Sequence, residues 1–223
     1  LEFGAGFRAD NAGDAAAGTA GSVFVSGAFG KLTMGDTGNA ADSLVGQVSG
    51  VGYTSLGSMN EIGWATKDVT GAQYEYSAGA LTFALGLGQA NATEDFISAA
   101  VKYSTDAYSV GLGYEDNNTQ GSQVTVTGSA MFSGATIKAK IVDGDMSADT
   151  QYALSADYTI NGIGLTAYYA DHKGAPDSNG VARDASYGLG ASYDLGGGAS
   201  VVGGVARSEG FDTVMDLGVK MSF

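Results

Sequence analysis

Hydrophobic and polar residues alternate strictly along the last stretch of the chain, "VMDLGVKMSF". The apolar set comprises Met215, Leu217, Val219, Met221 and Phe223. The residues between them are polar, charged or glycine. A period of two residues is typical of a β-strand with one apolar and one wet face. Because chain ends usually fray, a last strand this regular is expected to have a neighbour on each side.

The same alternation recurs along the whole sequence, as in "ALTFALGLG", "YSVGLGYED" and "ASYGLGASYDL". We count about fourteen such segments, each close to the roughly 9–11 residues that a tilted membrane strand needs. The second face of these segments carries Gly, Ser, Thr, Asp and Lys, and tyrosines recur near the segment ends. Aromatic rings at strand ends are typical of the girdles at the two surfaces of a membrane barrel.

Short and long connections alternate between these segments. Tight turns such as "SAGA", "FSGA" and "INGI" are separated by long stretches such as "RADNAGDAAAGTAG" and "DHKGAPDSNGVAR". In an up-and-down barrel this order places every tight turn at one end and every long loop at the other. The pattern therefore predicts an all-β fold, a transmembrane antiparallel up-and-down β-barrel, as a single domain over residues 1–223. A secreted soluble β-sandwich, such as an adhesin, is the alternative.

The composition of the chain excludes further classes of function. The chain has 223 residues, among them 37 glycines and no cysteine, and its formal net charge is −14. This charge argues against a nucleic-acid partner, which would need a basic face. A chain without cysteine fits an exported protein that needs no disulfides. Since no run of about 20 apolar residues exists, the sequence predicts no transmembrane helix.

Several segments together resemble the general porins of Rhodobacter-type alphaproteobacteria, among them "LEFGAGFRAD", "SVFVSGAFGKLTMGD" and "DLGVKMSF". The resemblance runs from residue 1 to residue 223. It implies a homotrimer of 16-stranded barrels in the bacterial outer membrane, each with a water-filled channel for passive diffusion of small hydrophilic solutes and ions. The fourteen segments would be strands three to sixteen, so the first hairpin is expected to lie outside this sequence. A closed 14-stranded barrel is the alternative.

A long stretch at about residues 37–70 exceeds an ordinary connection in a compact fold. It is mildly apolar and rich in glycine, which suits a segment packed inside a barrel. The resemblance implies that it is an in-folded constriction loop, and an outer surface loop is the alternative. Its charged residues, which we take as the candidate constriction residues, are Asp42, Glu61, Lys67 and Asp68.

Basic residues are phased with the inward face of other segments. The predicted basic pore wall comprises Arg8, Lys102, Lys138 and Lys140. Acidic groups on the loop that face basic groups on the wall create a transverse field, which orients dipolar solutes and disfavours apolar ones. The alternative is that these charges only keep the interior of the barrel wet.

Two further clusters are candidates for other chemistry. Asp143, Asp145 and Asp149 in "DGDMSAD" resemble the start of a calcium loop, but its glycine and its final glutamate are absent. We interpret this stretch as an acidic outer loop, with calcium binding left open and no other cofactor predicted. The lone histidine, His172, follows Asp171, and such a pair raises the alternative of an outer-membrane hydrolase. No catalytic residue is predicted, and the protein is predicted not to be an enzyme.

Overall fold

The computed structural model describes residues 1–9, 19–63, 69–91, 94–145, 147, 149–176 and 181–222. These residues form one sheet of 14 strands, which agrees with the number expected from the sequence. The strands are β1 (Glu2–Ala9), β2 (Thr19–Gly27), β3 (Gly30–Thr37), β4 (Val69–Ala78), β5 (Leu81–Asn91), β6 (Glu94–Ser104), β7 (Tyr108–Asn117), β8 (Gly121–Phe132), β9 (Ala135–Gly144), β10 (Gln151–Ile160), β11 (Ile163–Asp171), β12 (Ala185–Gly196), β13 (Ala199–Ser208) and β14 (Val214–Met221). Helix α1 (Ala40–Val45) and a one-turn 3-10 helix (Ser55–Ser58) lie between β3 and β4.

Every strand pairs antiparallel with the next strand along the chain, from β1 through to β14. The predicted up-and-down order is therefore confirmed. Within the described residues no ladder of hydrogen bonds joins β1 to β14. The alternative of a closed 14-stranded barrel is wrong for this structure, since the sheet is open between its first and last strands.

Tight turns join the strands at one end of the sheet. Two of them, Ser133–Gly134 and Asn161–Gly162, have positive φ at both residues, with values of 50° and 82° and of 51° and 79°. Two consecutive positive φ angles define a type I′ turn, whose twist matches that of the paired strands. Asparagine and glycine tolerate this conformation better than other residues, so the local sequence itself favours the turn.

The outward face of the sheet is apolar and exposed. Leu85, Leu87 and Leu189 are 59%, 62% and 63% exposed near the middle of their strands. On β14 the outward side chains Met215, Leu217, Val219 and Met221 are exposed, while Phe223 lies outside the described residues. That these residues form a membrane-facing closing strand stays a prediction, because β14 pairs only with β13 here. Soluble monomers rarely expose contiguous apolar areas of this extent. No helix among the described residues is long and apolar enough to cross a membrane.

Tyrosines lie at both ends of this outward face. Near the tight turns the rings of Tyr103 and Tyr108 have centroids 6.0 Å apart. Near the long connections the rings of Tyr152 and Tyr169 lie 6.2 Å apart. Because tyrosine has an apolar ring and a polar hydroxyl, it is favoured where hydrocarbon meets water. The two rows match the girdles expected from the sequence.

The apolar core lies on the inner side of the sheet. It is formed where the segment between β3 and β4 packs on the wall, and its buried members are Val48, Val51, Leu56, Ile62, Val142, Ala153, Tyr168, Ala170 and Ala206. The first four belong to that segment and the other five to strands β9, β10, β11 and β13. A single sheet cannot form a core by itself, so this segment supplies the second layer.

We predict that Leu85→Arg destabilises the protein in lipid vesicles by about 2–4 kcal/mol, because it places a cation near the middle of the apolar band. Phe132→Arg, at a strand end beside a tight turn, should cost only about 0–1 kcal/mol. Urea titration of the vesicle-inserted variants measures both values. Equal costs at the two positions would show that the outward face does not contact lipid.

Candidate pore constriction

The segment between β3 and β4, residues 38–68, is called here the inner loop, and its residues 38–63 are described. It lies against the polar face of the sheet. Helix α1 packs on β5 to β8, and the 3-10 helix at Ser55–Ser58 packs on β13 and β14. A loop of this length can touch strands this far apart only if the sheet curls around it, so the loop occupies the concave side.

Asn39 caps α1 and ties it to the wall. Its Oδ1 accepts hydrogen bonds from the backbone N–H groups of Ala41 at 2.7 Å and Asp42 at 3.2 Å. An asparagine at this position satisfies N–H groups that a helix leaves unpaired. Its Nδ2 donates to the buried carboxylate of Glu115 on β7. The N–H of Ala40 donates to Ser98 Oγ on β6 at 2.9 Å, so both sides of the cap are fixed.

Glycines of the wall make room for the loop. A Cβ built on Gly113 would lie 2.8 Å from Ala41 Cβ, and one on Gly111 would lie 2.4 Å from Val45. A Cβ on Gly204 would lie 2.5 Å from the backbone nitrogen of Gly52. These distances are shorter than van der Waals contact allows, so the loop can lie this close only because the strands lack side chains there.

The middle of the loop is held by Ser49. Its N–H donates to Ser155 Oγ at 2.9 Å, and its hydroxyl donates to Asp157 Oδ2 at 2.6 Å. Lys138 Nζ donates to the same hydroxyl at 2.8 Å. The second oxygen of Asp157 accepts from Thr166 Oγ1 at 2.8 Å, so this carboxylate bridges the loop and two strands.

Asp216 on β14 is the farthest wall anchor. Its carboxylate accepts from the N–H of Tyr53 at 2.9 Å, from the N–H of Thr54 at 2.6 Å and from Thr54 Oγ1 at 2.7 Å. Hydrogen bonds to a charged acceptor are stronger than neutral ones. The loop therefore remains fixed at the strand most distant in sequence from its own start.

Two glutamines hold the returning part of the loop. Gln151 Oε1 accepts from the N–H of Gly63 at 3.1 Å, and Gln123 Nε2 donates to the carbonyl of Gly63 at 3.2 Å. Gln123 also donates to Glu115, which joins this anchor to the one at Asn39. Inside the loop, Asn60 Nδ2 donates to the carbonyl of Val48 at 2.8 Å. Both backbone groups of Gly63 are thereby satisfied away from water.

The acidic loop and the basic wall meet at Asp42 and Lys140. Lys140 Nζ lies 3.6 Å from Asp42 Oδ1, and the side chain of Lys140 is only 1% exposed, against 28% for Asp42. Glu115 and Glu61 add negative charge around this ammonium. Lys140 was expected on the open pore wall, and here the structure differs. Lys140 is buried beneath the inner loop, so its ammonium faces carboxylates there instead of the channel.

The remaining predicted residues fall into two groups. Lys138 is half-buried and bound to Ser49, and Lys102 is half-buried on β6, where it pairs with Thr82 and Gly111. Arg8 belongs to β1, but its side chain lies outside the described residues, as do Lys67 and Asp68. The structure thus brings Lys138 and Lys140 of the wall to Ser49 and Asp42 of the inner loop.

Three carboxylates that anchor the loop were missed by reasoning from sequence: Glu115, Asp157 and Asp216. Each of them is phased with the inward face of its strand, as Asp216 is between the outward Met215 and Leu217. An inward acidic residue on a strand is a signal that can be seen in the sequence. Its partner on the loop cannot be seen there, because the two lie as many as 163 residues apart.

His172 lies behind the loop. Its Nε2 is 3.0 Å from the carbonyl oxygen of Met59 and 3.0 Å from Ser186 Oγ, and both His172 and Ser186 are buried. Asp171 instead pairs with Lys173 at 2.8 Å, and this hydrogen bond raises the pKa of Lys173. The serine hydroxyl is closed off from solvent, so the group fastens the loop rather than forming a nucleophile for catalysis.

The acidic outer loop does not bring its carboxylates together. Asp143 Oδ1 accepts from Thr150 Oγ1 at 2.6 Å, and Asp145 Oδ2 accepts from the N–H of Ser122 at 3.0 Å. In the part of the chain that the structure describes, no three His, Cys, Asp or Glu residues form a group that could hold a metal ion. Calcium binding by Asp143, Asp145 and Asp149 stays a prediction.

Comparison with known proteins gives the family. A profile of Gram-negative porins matches residues 1–213. The porin of Rhodobacter capsulatus is 35% identical over 266 aligned residues, covering 100% of this chain and 87% of the relative. The chain belongs to the Gram-negative porin family. The porin of Fuscovulum blasticum is 44% identical to it over 66 residues, which are 28% of this chain and 22% of that porin.

Solved structures agree with this assignment. A porin refined at 1.8 Å resolution superposes with a TM-score of 0.76 at 34% identity, over 91% of this chain and 81% of its own. A variant of the Rhodopseudomonas blastica porin superposes with a TM-score of 0.77 over 98% of this chain and 88% of its own. At 21% identity the second likeness shows the fold alone.

This porin is therefore a β-barrel channel of the bacterial outer membrane. Porins are passive channels and not enzymes, so the hydrolase alternative is wrong. The soluble sandwich is wrong as well, because the strand order and the structural neighbours are those of a barrel.

We predict that Gly204→Ala pushes the inner loop off the wall toward the channel, since its new methyl group meets the backbone of Gly52. Overpacking of this kind costs about 1–3 kcal/mol. Single-channel conductance should fall, and thermal unfolding in detergent should occur at lower temperature. Gly128→Ala is the matched control, because its Cβ meets only one atom, at 3.9 Å. Equal conductance in both variants would contradict the close packing of loop and wall.

Proposed function

We propose that the inner loop forms the narrowest part of this porin's channel, and that small hydrophilic solutes and ions diffuse passively past it. One observation carries this proposal: wall residues from Ser98 on β6 to Asp216 on β14 bond to the loop on the concave side of the sheet. A loop held in this way crosses the interior. The polar groups around it keep that interior wet, which suits hydrated solutes.

The charges of the lining favour cations. Asp42, Glu61 and Asp157 are partly exposed, whereas Lys140 is buried and Lys138 is held by Ser49. In this proposal the acidic side of the transverse field comes from the loop and from Asp157. The basic side of this field comes from Lys102 and Arg8. A channel lined mainly by carboxylates concentrates cations relative to anions.

Planar-bilayer recording of the detergent-extracted porin in a KCl gradient tests this function. Large, long-lived conductance steps with a reversal potential that favours K⁺ would support an open, acidic constriction. A silent bilayer despite inserted protein would contradict the open channel, and a preference for Cl⁻ would contradict the acidic lining.

We predict that Glu61→Gln lowers the K⁺/Cl⁻ permeability ratio about sixfold in dilute salt. A unit charge about 8 Å from an ion in water changes its energy by roughly 0.5 kcal/mol, with opposite sign for K⁺ and Cl⁻, so the ratio changes by about 1 kcal/mol. In 1 M KCl the difference should vanish, because the Debye length falls to about 3 Å. Glu209→Gln, on an exposed outer turn, is the control. An equal effect of both substitutions would place the selectivity outside the constriction.

We further propose that the porin assembles as a homotrimer through the outward face of β1 to β3. The resemblance to general porins implies the trimer. The distribution of tyrosines supports the choice of β1 to β3 as the interface. β1, β2 and β3 contain no tyrosine, whereas β10, β11 and β12 contribute rings to the girdles at both ends. A wall without tyrosine on three neighbouring strands is better suited to contact with protein than with the surface of a bilayer.

We predict that Val23→Arg shifts the detergent-solubilised porin from trimer to monomer, because it places a charge in an apolar interface. Val110→Arg is the matched control, since Val23 is 50% exposed and Val110 is 52% exposed on β7. Sedimentation equilibrium in density-matched detergent gives both masses. A trimer that survives Val23→Arg would place the interface elsewhere.

A further inference from the structure

An apolar groove crosses the outward face of β10 to β13. Its floor consists of the small residues Ala156, Ala167, Ala191 and Gly203. Ala156 is paired with Ala167, and Ala191 is paired with Gly203, so the floor continues from strand to strand. Two adjoining hollows of about 610 and 940 Å³ share Ala156 and Ala167. Each lies within the roughly 300–1,000 Å³ of ordinary ligand sites.

Larger apolar side chains border the groove. Leu154 and Tyr169 line it toward the long connections, and Tyr158 and Leu217 line it toward the tight turns. Leu189 belongs to both hollows. The groove is therefore a furrow in the membrane-facing wall, which is thin here because small residues form its floor.

Arg207 marks the end of the groove near the long connections. It is exposed, it is phased outward with Val205, and it pairs with Tyr187 of the girdle. Within the described strands it is the one cationic residue on the outward face. No carboxylate among the described residues forms an ion pair with it. Because a charge on the lipid face is tolerated only near the interface, Arg207 lies at headgroup depth.

We propose that this groove binds a phosphate-bearing lipid of the outer leaflet, the lipid A class of glycolipid. An acyl chain lies over the alanine floor, and the phosphate oxygens accept hydrogen bonds from the guanidinium of Arg207. Guanidinium binds phosphate through two parallel hydrogen bonds, which a neutral headgroup cannot accept in the same way. Gly203 and Arg207 are four residues apart, about 13 Å along a strand, which is half of a band roughly 25 Å tall. The stretch of the groove from Gly203 to Arg207 therefore spans a single leaflet, and it is this stretch that would hold the lipid.

The girdle favours lipid over a second copy of the chain as the occupant. Tyr169 and Tyr187 lie at one end of the groove, and Tyr158 lies at the other. Rings at both depths are typical of a wall that faces a bilayer. An isolated cation also fits an anionic headgroup better than an apolar contact between protomers.

Native mass spectrometry of the detergent-solubilised porin, titrated with lipid A, tests the proposal. Arg207→Gln should weaken lipid A binding about tenfold or more, since hydrogen bonds to a charged group are lost. Ala167→Phe should weaken it by filling the floor. Lys220→Gln, which removes the same charge from the inward face of β14, should leave binding unchanged. Lipid A freed of its phosphates should bind the unaltered porin as weakly as lipid A binds Arg207→Gln.

Equal lipid A binding by Arg207→Gln and the unaltered porin would overturn the proposal. Loss of the oligomer in Ala167→Phe, with unchanged lipid binding, would assign the groove to a contact between protomers and overturn it as well. Single-channel conductance should be the same in both variants, because the side chains of Arg207 and Ala167 lie on the outward face of the sheet. A failure of this proposal can thus be distinguished from a failure of the proposed channel function.

Discussion

The packing of the inner loop on the concave side of the sheet is the contact on which the rest of the structure depends. The outward face of the sheet is apolar and contacts lipid, so its side chains cannot pack together into a buried protein core. Every member of the buried apolar cluster lies at the boundary between loop and wall, as Val51 and Ala206 do. Because the loop bonds to β6 and to β14, it also links strands that are far apart in the sheet.

Several acidic side chains on the inward face of the sheet hold the inner loop in place. Glu115, Asp157 and Asp216 each accept hydrogen bonds from the loop or its neighbours, and Asp42 faces a buried ammonium. Backbone groups buried between the loop and the wall must be satisfied by the wall, since little water reaches them. The same carboxylates therefore hold the inner loop in place, and in the proposed channel they also contribute to the charge that a passing ion meets.

Glycine has two separate uses in this protein. At Asn161–Gly162 it permits a positive φ in a tight hairpin. At Gly111, Gly113 and Gly204 it removes a side chain that would collide with the loop. The high glycine content thus reflects a wall thinned along the path of the loop. On the face that meets lipid, the small alanine side chains on the floor of the outer groove make room in the same way.

The sequence by itself determined the strands, their number, their two faces and the up-and-down order. These features depend on a period of two and on local turn chemistry, which neighbouring residues specify between themselves. Only the tertiary structure decided which inward residues line the channel. Lys140 and Lys138 have the same phase on β9, yet the inner loop buries Lys140 and leaves Lys138 half-buried. That difference arises from where a loop 70 or more residues earlier in the chain crosses the wall, and no local pattern records such a contact.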